Sequence, residues 1–179
     1  MNEIRDHRPT GRGRPRAWVL SCLLALAAGC ASYDGRGLVP GKATLADTIA
    51  LMGQPSERAA APGGGSVLYF ARKPQGRQTY VARFGADGVL LGIEQVLTSG
   101  NIAKLEPGRS DKAAVRALFG PPWTVSHFPR SDKEVWEYKW LDYQDPRVLW
   151  IDFSPDGIVR EVTNMHDFEA DPPGHYRHQ

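Results

Sequence analysis

Apolar residues at helical spacing mark one segment in the first third of the chain. Leu45, Ile49 and Met52 recur three to four residues apart, which places them on one face of an α-helix. Thr44 precedes this run as a capping residue, and Gly53 follows it as a residue type that commonly ends a helix. The sequence therefore predicts a helix from residue 45 to residue 52.

Runs of β-branched and aromatic residues follow this helix and predict strands. Three are expected in this half of the chain: Val67–Ala71, Gln78–Phe84 and Val89–Leu97. The Asp87-Gly88 pair favours a tight hairpin turn, because glycine adopts a positive φ at no steric cost. The Ala- and Gly-rich segment Ala59–Gly65 is expected to be a loop.

The second half of the chain shows the same order of elements. A helix is expected from a cap at Ser110 or Asp111 through Phe119. The strands expected after it are Trp123–Phe128, Glu134–Leu141, Arg147–Phe153 and Ile158–Thr163. The Asp156-Gly157 pair supplies the last hairpin turn.

The two halves also share a spaced set of glycine, proline and aromatic residues. The first set is Gly41, Gly53, Pro55, Tyr69 and Phe84–Gly88, and the second is Gly108, Gly120, Pro122, Tyr138 and Phe153–Gly157. The early positions lie 67 residues apart and the late ones 69, as expected for duplicated units that differ by a loop insertion. The pattern predicts an α+β fold of tandem duplicated helix-plus-antiparallel-hairpin units, which form a shared antiparallel sheet with helices on one face.

The first 29 residues are typical of a signal peptide rather than of a domain. Arg12, Arg14 and Arg16 form a charged start, and the apolar-biased run Ala17–Ala27 follows and ends in small residues. A run of that length spans about 16 Å as a helix, against about 30 Å for the hydrocarbon core of a bilayer. A cleaved signal is therefore favoured over a permanent membrane-spanning anchor.

The cysteine at position 30 directly follows this segment and is the candidate lipidation site. The sequence Ala27-Ala28-Gly29-Cys30 resembles the lipobox of bacterial lipoproteins, whose cysteine thiol receives a diacylglycerol and whose amine receives an acyl chain such as palmitate. By the same resemblance, Ala31 in place of aspartate indicates the outer membrane of a Gram-negative bacterium, on the side facing the periplasm. An ordinary secretory signal that leaves Cys30 as a free thiol is the alternative.

The positive charge of the chain is concentrated in this leader. The formal net charge is +2, and residues 1–29 hold five arginines against two acids, a local +3 that leaves −1 on the rest. A nearly neutral body does not favour nucleic-acid binding, which depends on a basic surface. No nucleic-acid partner is expected.

Residue types that carry catalysis or bind metals form no known motif in this sequence. It contains no His-Glu-x-x-His or Cys-x-x-Cys pattern, no nucleophile elbow, no P-loop and no dinucleotide-binding fingerprint. The two Asp-Gly pairs are explained by turn chemistry and lack the surrounding acids of a calcium loop. The sequence therefore predicts a protein that is not an enzyme, with no metal, no cofactor and no small-molecule substrate.

Aromatic residues on two neighbouring strands are the candidate binding residues. Alternation places Trp136, Tyr138 and Trp140 on one face of the first of these strands. The next strand has its Leu, Ile and Phe positions on the face suited to helix packing, which leaves Trp150 and Asp152 on the open face. All five residues are candidates for contacting a protein partner, with filling of the core as the alternative for Trp136 and Tyr138.

Short motifs of the second half resemble those of a known lipoprotein family. The helix ending Val115–Pro122, the strand Trp136-Glu-Tyr138 and the hairpin Phe153–Ile158 are similar in kind and order to the SmpA/OmlA (BamE-like) outer-membrane lipoprotein domain. The first half is similar, with Thr48 in place of Val and Val67 in place of Trp. The resemblance covers about residues 38–166 and implies two tandem units, an architecture similar to that of the secreted β-lactamase-inhibitor protein.

These observations imply an organisation and a role for the chain. The expected parts are a lipoprotein signal peptide 1–29, a tether 30–40, SmpA/OmlA-like units at 41–98 and 99–168, and a disordered tail 169–179. The resemblance implies a non-catalytic lipoprotein, held to the outer membrane by lipid on Cys30, that binds a protein partner in envelope or outer-membrane protein assembly or maintenance, such as the barrel-assembly machinery. The alternative is an inhibitor-like module that binds and blocks an enzyme through a concave sheet.

Overall fold

A computed structural model of the chain describes residues 32–74 and 76–171, and it is a mixed α+β structure with few helices. Its strands form two separate four-stranded antiparallel sheets. The predicted signal peptide and Cys30 lie outside the described residues, as does the tail from residue 172 onward. Among the helices in the described part, none is long and apolar enough to cross a membrane.

The first half is a helix followed by a four-stranded meander. Its elements are α1 (Leu45–Met52), β1 (Glu57–Ala60), β2 (Ser66–Ala71), β3 (Thr79–Phe84) and β4 (Leu90–Gln95), paired in the order β1-β2-β3-β4. The predicted bounds of α1 are confirmed. The backbone N–H of Asp47 donates to the Thr44 hydroxyl and the Asp47 carboxylate accepts from the Thr44 N–H, which satisfies two backbone donors that the first turn leaves unpaired. Gly53, at φ 85°, ends the helix.

The second half repeats this order after a short connecting helix. Its elements are α2 (Ser99–Ile102), α3 (Lys112–Phe119), β5 (Thr124–Phe128), β6 (Lys133–Asp142), β7 (Asp145–Phe153) and β8 (Val159–His166), with the strands paired in the order β5-β6-β7-β8. Asp111 caps α3, since its carboxylate accepts from the Ala114 N–H at 2.7 Å. Two 3₁₀ turns complete the elements, at Pro62–Gly64 and Phe168–Ala170.

Equivalent positions of the two halves make the same backbone contacts. The N–H of Gly41 donates to the Leu90 carbonyl at 2.8 Å, and the N–H of Gly108 donates to the Val159 carbonyl at the same distance. The third and fourth strands shift register just before Phe84 in one sheet and just before Phe153 in the other. Both phenylalanines are 1% exposed.

The core of the second half lies between α3 and the inner face of the second sheet. Its buried side chains are Leu97, Leu105, Val115, Phe119, Trp136, Tyr138, Trp140, Leu149, Ile151, Phe153 and Val159. The rings of Trp136 and Phe153 meet edge to face with their centroids 4.9 Å apart, a favoured aromatic geometry. The aromatic residues of β6 therefore fill this core.

The first sheet is buried on both faces. Leu68 and Phe70 of β2 pack into the cluster that includes Met52 of α1, whereas Val67 and Tyr69 point to the opposite face. On that face the Tyr69 hydroxyl donates to the Ala117 carbonyl of α3 at 3.1 Å. Helix α3 is thus brought against the face of the first sheet that α1 does not cover.

Two parts of the predicted architecture are corrected by this arrangement. The strands do not form one shared sheet, because the outer edge of β4 is occupied: Leu90 exchanges backbone hydrogen bonds with Gly41 and Ala43. The helices also do not all lie on one face, since the first sheet has α1 on one side and the end of α3 on the other. The segment predicted as a loop at Ala59–Gly65 begins with residues of β1, which pairs with β2.

The described residues of the predicted tether and tail belong to the packed structure. Gly35 is buried, and a Cβ atom at this position would overlap the side chain of Ile93. The Arg72 guanidinium lies over the ring of Tyr33, 4.3 Å from its centroid. The segment from residue 32 to residue 40 is therefore packed against the first sheet, and the tail predicted from residue 169 begins inside the 3₁₀ turn Phe168–Ala170.

Candidate partner-binding surface

The outer face of the second sheet has no helix across its centre in the described part of the chain. Trp150 of β7 lies in the middle of this face and is 37% exposed, as the alternation along β7 predicts. Its cross-strand neighbours are Glu137 of β6 and Thr163 of β8. The indole N–H of Trp150 donates to the Glu137 carboxylate at 3.0 Å, which fixes the orientation of the ring on the face.

Two further apolar side chains lie beside Trp150 and were not identified from the sequence. Met165 of β8 is 36% exposed, and Phe168 in the following 3₁₀ turn is 52% exposed. A shallow depression of about 140 Å³ is lined in part by these two residues together with Glu137, Lys139, Val148 and Trp150. We name these six residues the Trp150 surface. Met165 was missed because the predicted strand ended at residue 163, two positions before it.

Three of the five candidate residues are buried, which corrects their assignment to a binding surface. Trp136, Tyr138 and Trp140 are 6%, 1% and 1% exposed. The register of the sheet pairs Trp136 with Ile151 and Tyr138 with Leu149, so these aromatic residues share the inner face with the apolar residues of β7. A partner could not contact them without unfolding the core.

Hydrogen bonds hold the two most deeply buried of these aromatic residues in place. The Tyr138 hydroxyl donates to the Gly120 carbonyl at 3.0 Å, and burial raises the pKa of this phenol above its ordinary value. The indole N–H of Trp140 donates to the Asn164 side chain at 3.2 Å. Both polar groups are satisfied within the core, as buried polar groups require.

Asp152 lies on the outer face with Trp150, but its carboxylate is already paired. Lys133 of β6 forms an ion pair with it, and the Asp152 side chain is only 13% exposed. The hydrogen bond and charge of Asp152 raise the pKa of Lys133, which keeps the ammonium charged. Asp152 therefore borders the exposed tryptophan as part of a neutral pair.

Acidic side chains outnumber basic ones on this face. Its carboxylates belong to Glu137, Asp152, Glu161 and Glu169, and its ammonium groups belong to Lys133 and Lys139. Lys139 is itself paired with Glu169 at 2.7 Å. The surface around Trp150 is consequently apolar at its centre and negative at its rim.

The segment after β8 closes one end of the Trp150 surface. Asp167 forms an ion pair of 2.7 Å with Arg77 of the first half. Burial alone would raise the pKa of the Asp167 carboxyl, but the nearby charges of Arg77 and Lys139 bring the pKa below its ordinary value. The carboxylate is therefore charged near neutral pH, and the pair holds the turn that carries Phe168.

His166 fixes the same segment from the other side. Its two ring nitrogens lie 2.7 Å from the Asp145 carboxylate and 3.1 Å from the Asp171 carboxylate. These hydrogen bonds, to Asp145 first and Asp171 second, raise the pKa of the imidazole above its ordinary value. Each ring nitrogen contacts a different carboxylate, so the imidazole lies between Asp145 and Asp171. The three side chains are therefore not arranged to chelate one ion.

Within residues 32–74 and 76–171, no group of three or more His, Cys, Asp or Glu side chains is arranged to hold a metal ion. The chemistry that the Trp150 surface can offer is recognition: a large ring, a thioether, a second aromatic ring and a carboxylate. Tryptophan is one of the residues that contribute most to the binding energy of protein–protein interfaces, and such residues lie near the centre of a patch with a polar rim.

No protein-family model matches the sequence, and no curated protein matches it. Among solved structures, it is similar to the crystal structure of a DUF4309 family protein (YjgB) from Bacillus subtilis subsp. subtilis str. 168, with 19% sequence identity over 74% of this chain and 84% of that chain. The TM-score of that match is 0.29, which is too low to support an argument about fold or function.

Proposed function

We propose that this protein is a non-catalytic lipoprotein of the outer membrane that binds a protein partner through the Trp150 surface. The observation that carries the proposal is the 37% exposure of Trp150 at the centre of a sheet face, beside the exposed Met165 and Phe168. An exposed tryptophan contributes little to folding but can contribute at least about 2 kcal/mol to an interface when it fills a pocket. The lipobox-like sequence ending at Cys30 supports the membrane anchor.

The charges of the face define the kind of partner that fits. Glu137 and Glu161 lie on either side of Trp150 and are not joined to a lysine or arginine by an ion pair within the described residues. A partner segment with an apolar side chain and a neighbouring lysine or arginine would complement both features. In the envelope, a component of outer-membrane protein assembly or maintenance is the class of partner that the SmpA/OmlA resemblance implies.

We also infer that the two halves arose by tandem duplication of one helix-plus-meander unit. The evidence is the equivalence of contacts rather than of residue types. The caps of α1 and α3 each pair with the residue after an Asp-Gly turn, Thr44 with Val89 and Asp111 with Ile158. In the second unit, the outer face of the sheet has no helix across its centre. The corresponding face of the first unit's sheet packs against α3.

Photo-crosslinking in intact envelopes tests whether a partner protein contacts the Trp150 surface. A photoreactive amino acid in place of Trp150 should yield a crosslinked product with an envelope protein. Leu91, which is 65% exposed on β4, provides a matched control position in the first half. Equal yields at the two positions, or no product at Trp150, would contradict the proposed surface.

A second variant separates binding from folding. With the photoreactive residue moved to Thr163, the substitution Trp150→Ala should weaken partner affinity by about 30-fold. The same substitution should change thermal stability only slightly because the ring is partly in solvent. Unfolding of the Trp150→Ala variant would instead identify Trp150 as a core residue.

The anchor has its own test. Cys30→Ser should prevent acylation and release the protein from the outer-membrane fraction, since stable anchoring depends on more than one acyl chain. Mass spectrometry of the mature amino terminus gives the direct answer. An unmodified Cys30 would exclude the lipid anchor while leaving the partner test unaffected.

A further inference from the structure

Strand β5 is an edge strand with unusual exposure. It pairs only with β6 among the described strands, and each of its five residues, from Thr124 to Phe128, is exposed. Val125 and Phe128 are 42% and 50% exposed. An edge strand of this kind presents unpaired backbone N–H and C=O groups and is a template for another strand.

The other three edges carry features that hinder strand addition. Each contains charged residues: Glu57 and Arg58 in β1, Glu94 in β4, and Arg160 and Glu161 in β8. Backbone groups at the start of β4 and β8 are also already bonded to the segments before α1 and α3. Charges on the edge and coverage by neighbouring chain are the usual means by which proteins prevent edge-to-edge pairing.

None of these features is present in β5. Its sequence Thr-Val-Ser-His-Phe contains no lysine, arginine, aspartate or glutamate, and its register with β6 shows no bulge. Two prolines flank the segment, Pro122 on one side and Pro129 on the other, and neither has an N–H to donate. The Trp123 N–H donates to the Glu137 carbonyl and the Trp123 carbonyl accepts from Lys73, so the edge available for pairing runs from Thr124 to Phe128.

We propose that β5 binds β5 of a second copy of this chain, as an antiparallel pair about a two-fold axis. Ser126 is the midpoint of the five residues from Thr124 to Phe128, so the pair is centred on it. Ser126 then faces its own equivalent, Val125 faces His127, and Thr124 faces Phe128. No like charges oppose each other, and the exposed Val125 and Phe128 of each copy are covered. A two-fold interface of this kind joins the two second sheets into one.

The second copy is favoured over an unrelated strand by this self-complementarity. A two-fold antiparallel pair requires that every residue tolerate its symmetry partner, and a small hydroxyl residue at the centre meets that requirement. The proposal is independent of partner binding by Trp150, whose side chain lies two strands away on the outer face. The substitution Trp150→Ala should therefore leave self-association unchanged.

Disulfide trapping tests the proposed register in the full-length protein in its membrane. Directly opposed residues of an antiparallel pair have Cα atoms about 4.5–5.5 Å apart, within the range that a disulfide bridges. Ser126→Cys should give a disulfide-linked dimer on a non-reducing gel. Gln144→Cys, at the exposed β6–β7 turn, is the matched control. No more dimer from Ser126→Cys than from this control would overturn the proposal.

Charge exchange at the same position gives a second, independent test. Two full-length copies with different affinity tags are co-expressed, and their co-purification is measured. With Ser126→Lys in both copies, association should fall about tenfold, because like charges lie directly opposite. Combining Ser126→Lys in one copy with Ser126→Glu in the other should restore it. Undiminished association of the two lysine variants would show that β5 is not the interface.

Discussion

The guanidinium of Arg77 lies 2.7 Å from the carboxylate of Asp167, and this ion pair joins the loop between β2 and β3 to the residue that follows β8. The Asp167 side chain is 4% exposed, and Lys139 lies at 3.4 Å as a second cation. The pair connects the first half of the molecule to the turn carrying Phe168. The end of the Trp150 surface is thus positioned by a residue from the other half.

Removing the guanidinium should destabilise the fold. Arg77→Met leaves a buried carboxylate with only the more distant Lys139, so the free energy of unfolding should fall by about 2–4 kcal/mol. Urea denaturation measures this change. The double variant Arg77→Met with Asp167→Asn should recover part of the loss, because no uncompensated charge remains. Additive losses in the double variant would contradict the ion pair.

His166 should make stability depend on pH near neutrality. Its folded pKa is raised by hydrogen bonds to Asp145 and Asp171, against an opposing effect of burial, and Arg147 also pairs with Asp145 at 3.1 Å. A raised pKa means that the stabilising contribution is fully present below the unfolded value of about 6.5 and is lost as pH rises through the folded pKa. NMR titration of the imidazole should show the raised value, and Asp171→Asn should lower it. An unchanged titration in that variant would contradict the contact.

A matched pair of substitutions tests the equivalence of the two helices. Thr48 and Val115 occupy corresponding positions of α1 and α3, and both are fully buried. The Thr48 hydroxyl donates to the Thr44 carbonyl within the helix at 3.0 Å, a contact that adds little. Thr48→Val should raise the free energy of unfolding by about 0.5–1 kcal/mol, and Val115→Thr should lower it by about 1–3 kcal/mol. Thermal denaturation of both variants would show these opposite signs, and equal signs would contradict the equivalence.

The two tryptophans near the β6–β7 hairpin should respond differently to truncation. Trp140 is 1% exposed in the core, so Trp140→Ala should cost about 3–5 kcal/mol. Trp150 is 37% exposed, and Trp150→Ala should cost less than about 1 kcal/mol. Chemical denaturation of the two variants side by side gives the comparison. Similar losses would show that the outer face is more buried in solution than the fold indicates.

The local elements could be predicted from residues that are neighbours in the chain. The bounds of α1 followed from the Thr44 cap and Gly53, and both Asp-Gly turns formed the expected hairpins, because these features depend on residues within a few positions of each other. The exposure of Trp150 also followed from alternation along β7, since a strand places successive side chains on opposite faces. These are properties of short segments, so neighbouring residues in the sequence are enough to predict them.

How the elements pack together depends on contacts between residues that are distant in the chain. Trp136, Tyr138 and Trp140 share one face by alternation, but the pairing of β6 with β7 determined that this face is the inner one. The Ala- and Arg-containing β1 forms because β2 offers an edge, not because its own residues favour a strand. The division into two sheets depends on the segment before α1, which bonds to the edge of β4 at Leu90. These features depend on contacts between residues far apart in the chain, so they cannot be predicted from local sequence patterns.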